Sequence, residues 1–278
     1  MSDLMNTPLD QLPLNGAVNL LAHNEDGLVA LEKPTGLMSH PNGPEDNERS
    51  LLTADYDLKE ECYSWTDATG EIRRAWLINR LDSPTSGVIL LGLNPEITAV
   101  IKKEFSTHRV TKIYYALVRG RPQVPSGSWS DKLKKVAKNG NCAQIVPAKT
   151  RYQVIKSPTG GFPVSLLKLL PLTGRTHQLR VQCNKHGLPI VGDRTYGNFG
   201  FNKEVAIKVE TRRMMLHSAE TIVRYCYKGQ LRELTAKSEL PEDFKAVMSY
   251  RPGLNMHRPK GTRSQVLAGR RFKAPEAP

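Results

Sequence analysis

Three short segments carry the residues that could do chemistry together. The first is "INRLDSPTSGVILLG", residues 78–92, which places one carboxylate, Asp82, between Arg80 and a Ser-Pro-Thr-Ser-Gly turn. The second is "TKIYYALVRG", where Lys112 and Tyr114 fall on one face of a strand and Tyr115 on the other. The third is "PLTGRTHQLRVQ" at a strand-to-helix junction. There Gly174 permits a tight turn, Arg175 and His177 begin the helix with Gln178, and Arg180 follows about one turn later. All three segments combine turn chemistry with polar residues in apolar surroundings. Each also has an ordinary structural reading. Asp82 could stabilise its turn, Tyr114 could be a strand aromatic, and His177 and Arg180 could be surface groups.

Familiar alternatives are missing. The sequence has no GxSxG elbow, no HExxH, no P-loop and no GxGxxG. The four cysteines, Cys62, Cys142, Cys183 and Cys226, form no CxxC pair and stand at no metal-ligand spacing from a histidine. Neither a metal nor a disulfide framework is expected. Forty Lys and Arg face 27 Asp and Glu, a formal charge of +13, which favours polyanionic partners and nucleic acid first. No apolar run reaches the length of a membrane span. The opening "MSDLMNTPLDQLPLNG" lacks the basic start and apolar core of a signal peptide, so a cytoplasmic location is expected.

The elements that must position these residues mix strands and helices without regular βα alternation. That pattern predicts an α+β fold with a mainly antiparallel mixed sheet, not a doubly wound one. "GAVNLLAHNEDGLVALEKP" reads as a strand pair around Asn24–Gly27. "LLTADYDLKEE" reads as a short helix, and "AWLINRL" and "SGVILLGL" as strands flanking the Asp82 turn. Asn94 caps a helix that starts at Pro95 and turns Ile97, Val100, Ile101 and Phe105 to one side. Residues 121–150 read as a long basic loop or an inserted hairpin. "RYQVIKS" and "VSLLKLLPL" form a strand pair, and Gly187 ends the helix of "THQLRVQCNKHG". "MMLHSAETIVRY" and "QLRELTAK" are late strands, and "PEDFKAVM" is a last helix. The catalytic domain is expected to span residues 1–250. Residues 251–278, with seven Lys and Arg against one acid, are expected to form a basic flexible tail.

"NRLDSPTSGVILLG" resembles the catalytic-aspartate motif of the RluA-type RNA pseudouridine synthases. "KIYYALVRG" resembles that family's Lys-x-Tyr-x-Ala strand, and "LTGRTHQLRVQCNKHGLPIVGDRTYG" its Gly-Arg-Thr-His-Gln-Leu-Arg block. "ALEKPTGLMSHP" and "RRMMLHSAE" resemble its first and last segments. The segments stand in the family's order from about Leu28 to Glu220. The chain departs from the pattern at Asn79 and Gln182, where histidine is usual, and at Ser218, where alanine is common. The two dozen residues before the first motif are too few for the S4-type RNA-binding domain that many relatives carry in front.

The resemblance implies an RNA-modifying enzyme that exchanges a uridine's N1–C1′ bond for a C5–C1′ bond in a central cleft, without cofactor or metal. It implies Asp82 as the reacting carboxylate, Arg180 as its partner and Tyr114 as the residue beneath the target base. Arg80, Lys112, Arg175, His177 and Gln178 are the expected substrate-binding residues. The expected partner is a stem-loop of tRNA or rRNA, tRNA slightly favoured, met by a monomer. Two other readings remain at this point: a non-catalytic RNA-binding or ribosome-assembly protein of the same fold, and an unrelated basic hydrolase. The hydrolase would need a second acid or a His–Asp pair in a motif, and none is present.

Overall fold

The structure is a computed structural model and describes residues 9–135 and 144–253. Twelve strands among these residues form one branched sheet. The first two, β1 (Asn19–His23) and β2 (Leu28–Lys33), are the expected hairpin. Next come β3 (Asp55–Asp57), β4 (Cys62–Thr66), β5 (Ile72–Leu77) and β6 (Ser86–Gly92). Helix α1 (Pro95–Ser106) follows, with Asn94 Oδ1 accepting from the Ile97 amide at 2.9 Å as the cap predicted. Then β7 (Thr111–Arg119), β8 (Ser126–Lys135), β9 (Gln144–Lys156) and β10 (Val164–Pro171) extend the sheet. Helices α2 (Gln178–Lys185) and α3 (Phe199–Val209) precede β11 (Leu216–Tyr227), β12 (Gln230–Lys237) and α4 (Glu242–Ser249). Among the assigned strand pairs only β6 with β11 is parallel, so the sheet is mixed and mainly antiparallel, as expected.

The centre of the fold is β6. All seven of its residues are buried, because both faces of the sheet are covered there. β2 pairs along one side of it from Gly87 to Gly92. The other side is shared: β11 meets its start at Ser86 and Gly87, and β5 meets its end at Leu91 and Gly92. Residues 78–85 fill the gap where β5 and β11 part. Asn79 lies there and its side-chain oxygen accepts from the Leu90 amide at 2.9 Å, taking a place in the ladder that no strand fills. Three buried clusters surround this centre. One joins β7, β10, α2 and α3, a second packs Tyr63 and Leu51 against β2 and β6, and a third packs α1 against β11 and β12.

The structure corrects several expectations. "LLTADYDLKEE" is not a helix: Leu51 and Leu52 are buried as loop residues, and Asp55–Asp57 is a strand. Asp57 Oδ1 accepts from the Lys59 and Glu60 amides, so a local turn competes with helix formation. The strand of "AWLINRL" stops at Leu77 and begins earlier, at Ile72. Helix α2 starts at Gln178, not at Arg175, because His177 holds a left-handed backbone with φ 51°. The described parts of residues 121–150 follow the hairpin alternative, β8 pairing with β9 from Ser126–Gln153 to Lys135–Gln144, while residues 136–143 lie outside the described residues. Of the expected basic tail, all but residues 251–253 lies outside the described residues.

Two features of the β6–β11 contact yield measurable consequences. Gly87 has φ 108°, and a Cβ there would stand 2.1 Å from the Ser218 carbonyl oxygen. Gly87→Ala therefore costs about 3 kcal/mol in urea unfolding through strain and overpacking. Beside it, Arg213 Nη2 donates to Ser86 Oγ at 2.6 Å, and Ser86 Oγ lies 2.8 Å from Nδ1 of the buried His217. The chain continues through Nε2 of His217 to the Ser238 carbonyl at 3.2 Å. Burial pushes the His217 pKa down to about 4, the Ser238 carbonyl opposing. The unfolded histidine, near 6.5, binds its proton more readily, so this contribution to stability is complete above pH 6.5 and is lost as pH falls toward 4. The urea midpoint accordingly drops between pH 7 and pH 5, and His217→Gln flattens that dependence.

Candidate active site

The Asp82 turn is held from three sides. The Thr85 amide donates to the Asp82 carbonyl at 2.9 Å, closing the turn itself. Ser39 Oγ donates to the Leu81 carbonyl and accepts from the Leu81 amide. The segment after β2 grips the far side. There the Gly36 amide donates to the Ser83 carbonyl, Thr35 Oγ1 to the Pro84 carbonyl and Ser83 Oγ to the Gly36 carbonyl. Beneath lies Lys33, fully buried, whose ammonium donates to the carbonyls of Pro34, Leu37 and Ser83 at 2.7–3.0 Å. Burial pushes its pKa down to about 7, opposed by the Asp82 charge and assisted by that of Arg213. Three carbonyl acceptors are what an ammonium needs at such a place.

The turn presents Asp82 to α2. Arg180 Nη1 donates to Asp82 Oδ2 at 3.0 Å. The same guanidinium forks onto a second carboxylate, with Nε to Asp193 Oδ2 at 2.8 Å and Nη2 to Asp193 Oδ1 at 2.9 Å. Nη2 also reaches Thr195 Oγ1 at 3.2 Å, and the guanidinium lies over the Tyr196 ring at 5.2 Å. Asp193 is wholly buried. Burial alone would raise its pKa. The Arg180 hydrogen bonds and the backbone amides of Tyr196 and Thr195 outweigh this and leave it lowered. Arg180 is raised in turn, the two carboxylates overcoming its desolvation. The side chain of Arg180 is 6% exposed and that of Asp82 28%, so the open end of this chain of charges is Asp82.

Two further groups flank the acid. His177 Nε2 stands 3.8 Å from Asp82 Oδ2, and its Nδ1 lies 3.1 Å from the Tyr196 hydroxyl. Tyr114, on the central strand β7, packs against two of the buried clusters. Burial pushes its pKa up to about 12, a hydrogen bond with Ser218 opposes, and the Asp82 charge adds to the rise. Its hydroxyl therefore keeps its proton at neutral pH, close enough to Asp82 to feel that charge. Of the residues named from the sequence, Asp82, His177 and Arg180 are brought into contact, and Tyr114 lies within range of the Asp82 charge.

The others are placed elsewhere. Arg80 is exposed and acts electrostatically on Tyr56 and Glu61. Lys112 sets its ammonium 5.7 Å from the centroid of the Phe105 ring of α1, where β11 bulges between Ser218 and Glu220 opposite β7. Arg175 donates through Nε to the Pro147 carbonyl on the β8–β9 hairpin. Gln178 is buried and bonded to Thr173, Lys149, Thr150 and the Arg175 amide, so it builds the loop. Gln182, at a position where the family pattern often has histidine, ties α2 to the hairpin by donating to Asp131 and Ala148 and accepting from Thr150. The sequence reading missed Lys33, Asp193, Thr195 and Tyr196. All four lie inside segments quoted for their resemblance, which was the signal available. Among the described residues no group of His, Cys, Asp and Glu could hold a metal ion.

Asp193→Asn keeps the shape of the buried fork and removes one of the two charges that balance Arg180. Breaking a buried pair in this way costs about 3 kcal/mol, read as a lower urea midpoint at unchanged slope.

Comparison with known proteins identifies the family. Residues 27–185, more than half of the chain, match the family model described as RNA pseudouridylate synthase. A protein of Pectobacterium carotovorum subsp. carotovorum named tRNA pseudouridine synthase C is 30% identical over 235 residues, covering 80% of this chain and 59% of that relative. The Dual-specificity RNA pseudouridine synthase RluA of Vibrio vulnificus is 28% identical over 258 residues, 87% of this chain and 92% of the relative. The structure of Human RNA Pseudouridylate Synthase Domain Containing 4 has the same fold, with a TM-score of 0.57 at 24% identity, covering 82% of this chain and 90% of that one. With its acid, arginine and tyrosine motifs in order and its mixed sheet in place, this chain belongs to the RNA pseudouridylate synthase family of RNA-modifying isomerases.

Proposed function

We propose that this protein converts uridine to pseudouridine in a structured RNA, tRNA slightly favoured over rRNA, with Asp82 as the reacting carboxylate. The observation that carries the reading is the state of Asp82: partly open, while the guanidinium that orients it is buried and anchored on Asp193. A rigid, planar donor fixes the direction of the acid without covering it. The names of the relatives from Pectobacterium and Vibrio support a substrate among tRNA and other structured RNAs.

The chemistry assigns a task to each group. The target uridine must leave its stack to reach the acid, and it needs a flat apolar surface to replace its neighbours. Tyr114 supplies that surface beside Asp82. Asp82 then provides the electron pair that permits the N1–C1′ bond to break and C5 to bond C1′. The proton on C5 is released and N1 gains one, so there is no net redox change. The Tyr114 hydroxyl relays a proton in that last transfer, passing its own on as it receives another. His177 and Tyr196 form the rim, and the surface cations hold phosphates around the flipped nucleotide.

The test is tritium release from RNA labelled at uridine C5, using tRNA and rRNA from cells lacking this protein. Native protein is expected to release tritium mainly from the tRNA pool, and Asp82→Asn to abolish release while RNA binding persists. Binding without release by the native protein would instead identify a non-catalytic RNA binder.

A further inference from the structure

A groove adjoins the loop that holds Asp193 and has no part in the chemistry above. It has a volume of about 390 Å³ and runs between α3 and the segments around Arg194 and Arg212. That is within the roughly 300–1,000 Å³ of pockets that hold small organic ligands. Arg194, Lys203 and Arg212 line it and all three are exposed. Among the described residues none of the three has an ion-pair partner, whereas Arg213, deeper in the groove, faces Asp243 at 3.9 Å. No carboxylate is among the lining residues; Glu204 and Glu210, the acids of α3 and its C-terminal cap, lie outside them. Phe199, at the start of α3, is 65% exposed and also lines the groove. A bare aromatic face beside three unpaired cations has the chemistry that single-stranded nucleic acid takes: a base on the ring and phosphates on the charges.

The groove is wired to the active site by the backbone. Asp193, which anchors Arg180, is flanked in sequence by the lining residues Gly192 and Arg194. Asn202 of α3 accepts from the Gly192 amide at 2.8 Å and donates to the Asp193 carbonyl at 2.9 Å. From the other wall, Arg213 donates to Ser86 Oγ, four residues beyond Asp82. A ligand seated here would therefore rest on the loop that anchors Arg180 and on Arg213, which bonds the strand following the Asp82 turn.

We propose that this groove binds a second unstacked nucleotide of the substrate RNA, next to the one that enters the Asp82 site. Its base stacks on Phe199, and its phosphates meet Arg194, Lys203 and Arg212. The proposal deepens the reading of the protein as an RNA-modifying enzyme and rests on it.

The experiment measures tRNA binding by fluorescence anisotropy at several salt concentrations, beside tritium release from the same tRNA. Phe199→Ala is expected to weaken binding about tenfold, the effect of losing one stacked base. Lys203→Gln with Arg212→Gln is expected to lower the slope of log affinity against log salt by about 1.5, the signature of two lost phosphate contacts. All three side chains are exposed, so these variants are expected to keep the native circular dichroism. Native tritium release with native-like binding by both variants overturns the groove and leaves the enzyme reading standing. Native RNA binding without tritium release overturns the enzyme reading, and with it the groove as a substrate site. Unchanged RNA binding with a changed sedimentation mass overturns the proposal in favour of a contact between copies of the chain.

Discussion

One guanidinium shared between two carboxylates organises this molecule. Arg180 is buried, and a buried cation is tolerated only when its donors are used. Asp193 takes two of them and is itself out of water, so that pair is closed and fixed. A further donor, on Nη1, is aimed at Asp82. The fold thus spends a buried ion pair on direction: it determines where a partly exposed acid points. Tyr196 on one side and Thr195 on the other restrain the fork further.

Everything around the pair keeps two loops in register. The Asp82 loop hangs from β6 and is stitched to the segment after β2 by Lys33, Thr35 and Ser83. The Asp193 loop is pinned to α3 by Asn202. The sheet brings the two together because β6 and β11 approach closely at Gly87, where no side chain fits. The divergence of β5 and β11 from the same edge of β6 makes room for the loop, and Asn79 closes the gap with an amide oxygen. A position that departs from the family's usual histidine therefore has a structural use here.

Much of the fold was legible in the sequence, and the reasons differ by element. Helix α1 was readable because cap, proline and apolar face agree. Strand β6 was readable from its apolar run. The strand β3 and the turn after it were not, since "LLTADYDLKEE" looks helical and only the Asp57 side chain, bonding its own backbone, diverts it. Helix α3 was missed although Asn198 caps it and Phe201, Val205 and Val209 recur every four residues on its buried side. For the site, Asp82, Tyr114 and Arg180 were legible through family motifs, not through spacing, which cannot bring together residues 98 apart. Asp193 was invisible as a partner because a Gly-Asp pair in a loop reads as a turn. Gln178 was misleading: it neighbours the charged residues in sequence but is consumed by the loop it supports.

The parallel seam between β6 and β11 also governs when the site comes into being. It joins Ser86 to His217 and Gly87 to Ser218, partners more than a hundred residues apart, and the Arg213–Ser86 bond spans 127. Contacts of such separation form late, after the loop between them has been closed at an entropic cost. During synthesis, a chain that has emerged only through α2 already carries the acid and its arginine, but not the Asp193 anchor or the β11 strand that pairs with the start of β6. Competence therefore waits until β11 enters the sheet. Incomplete copies would carry a basic surface without an assembled site.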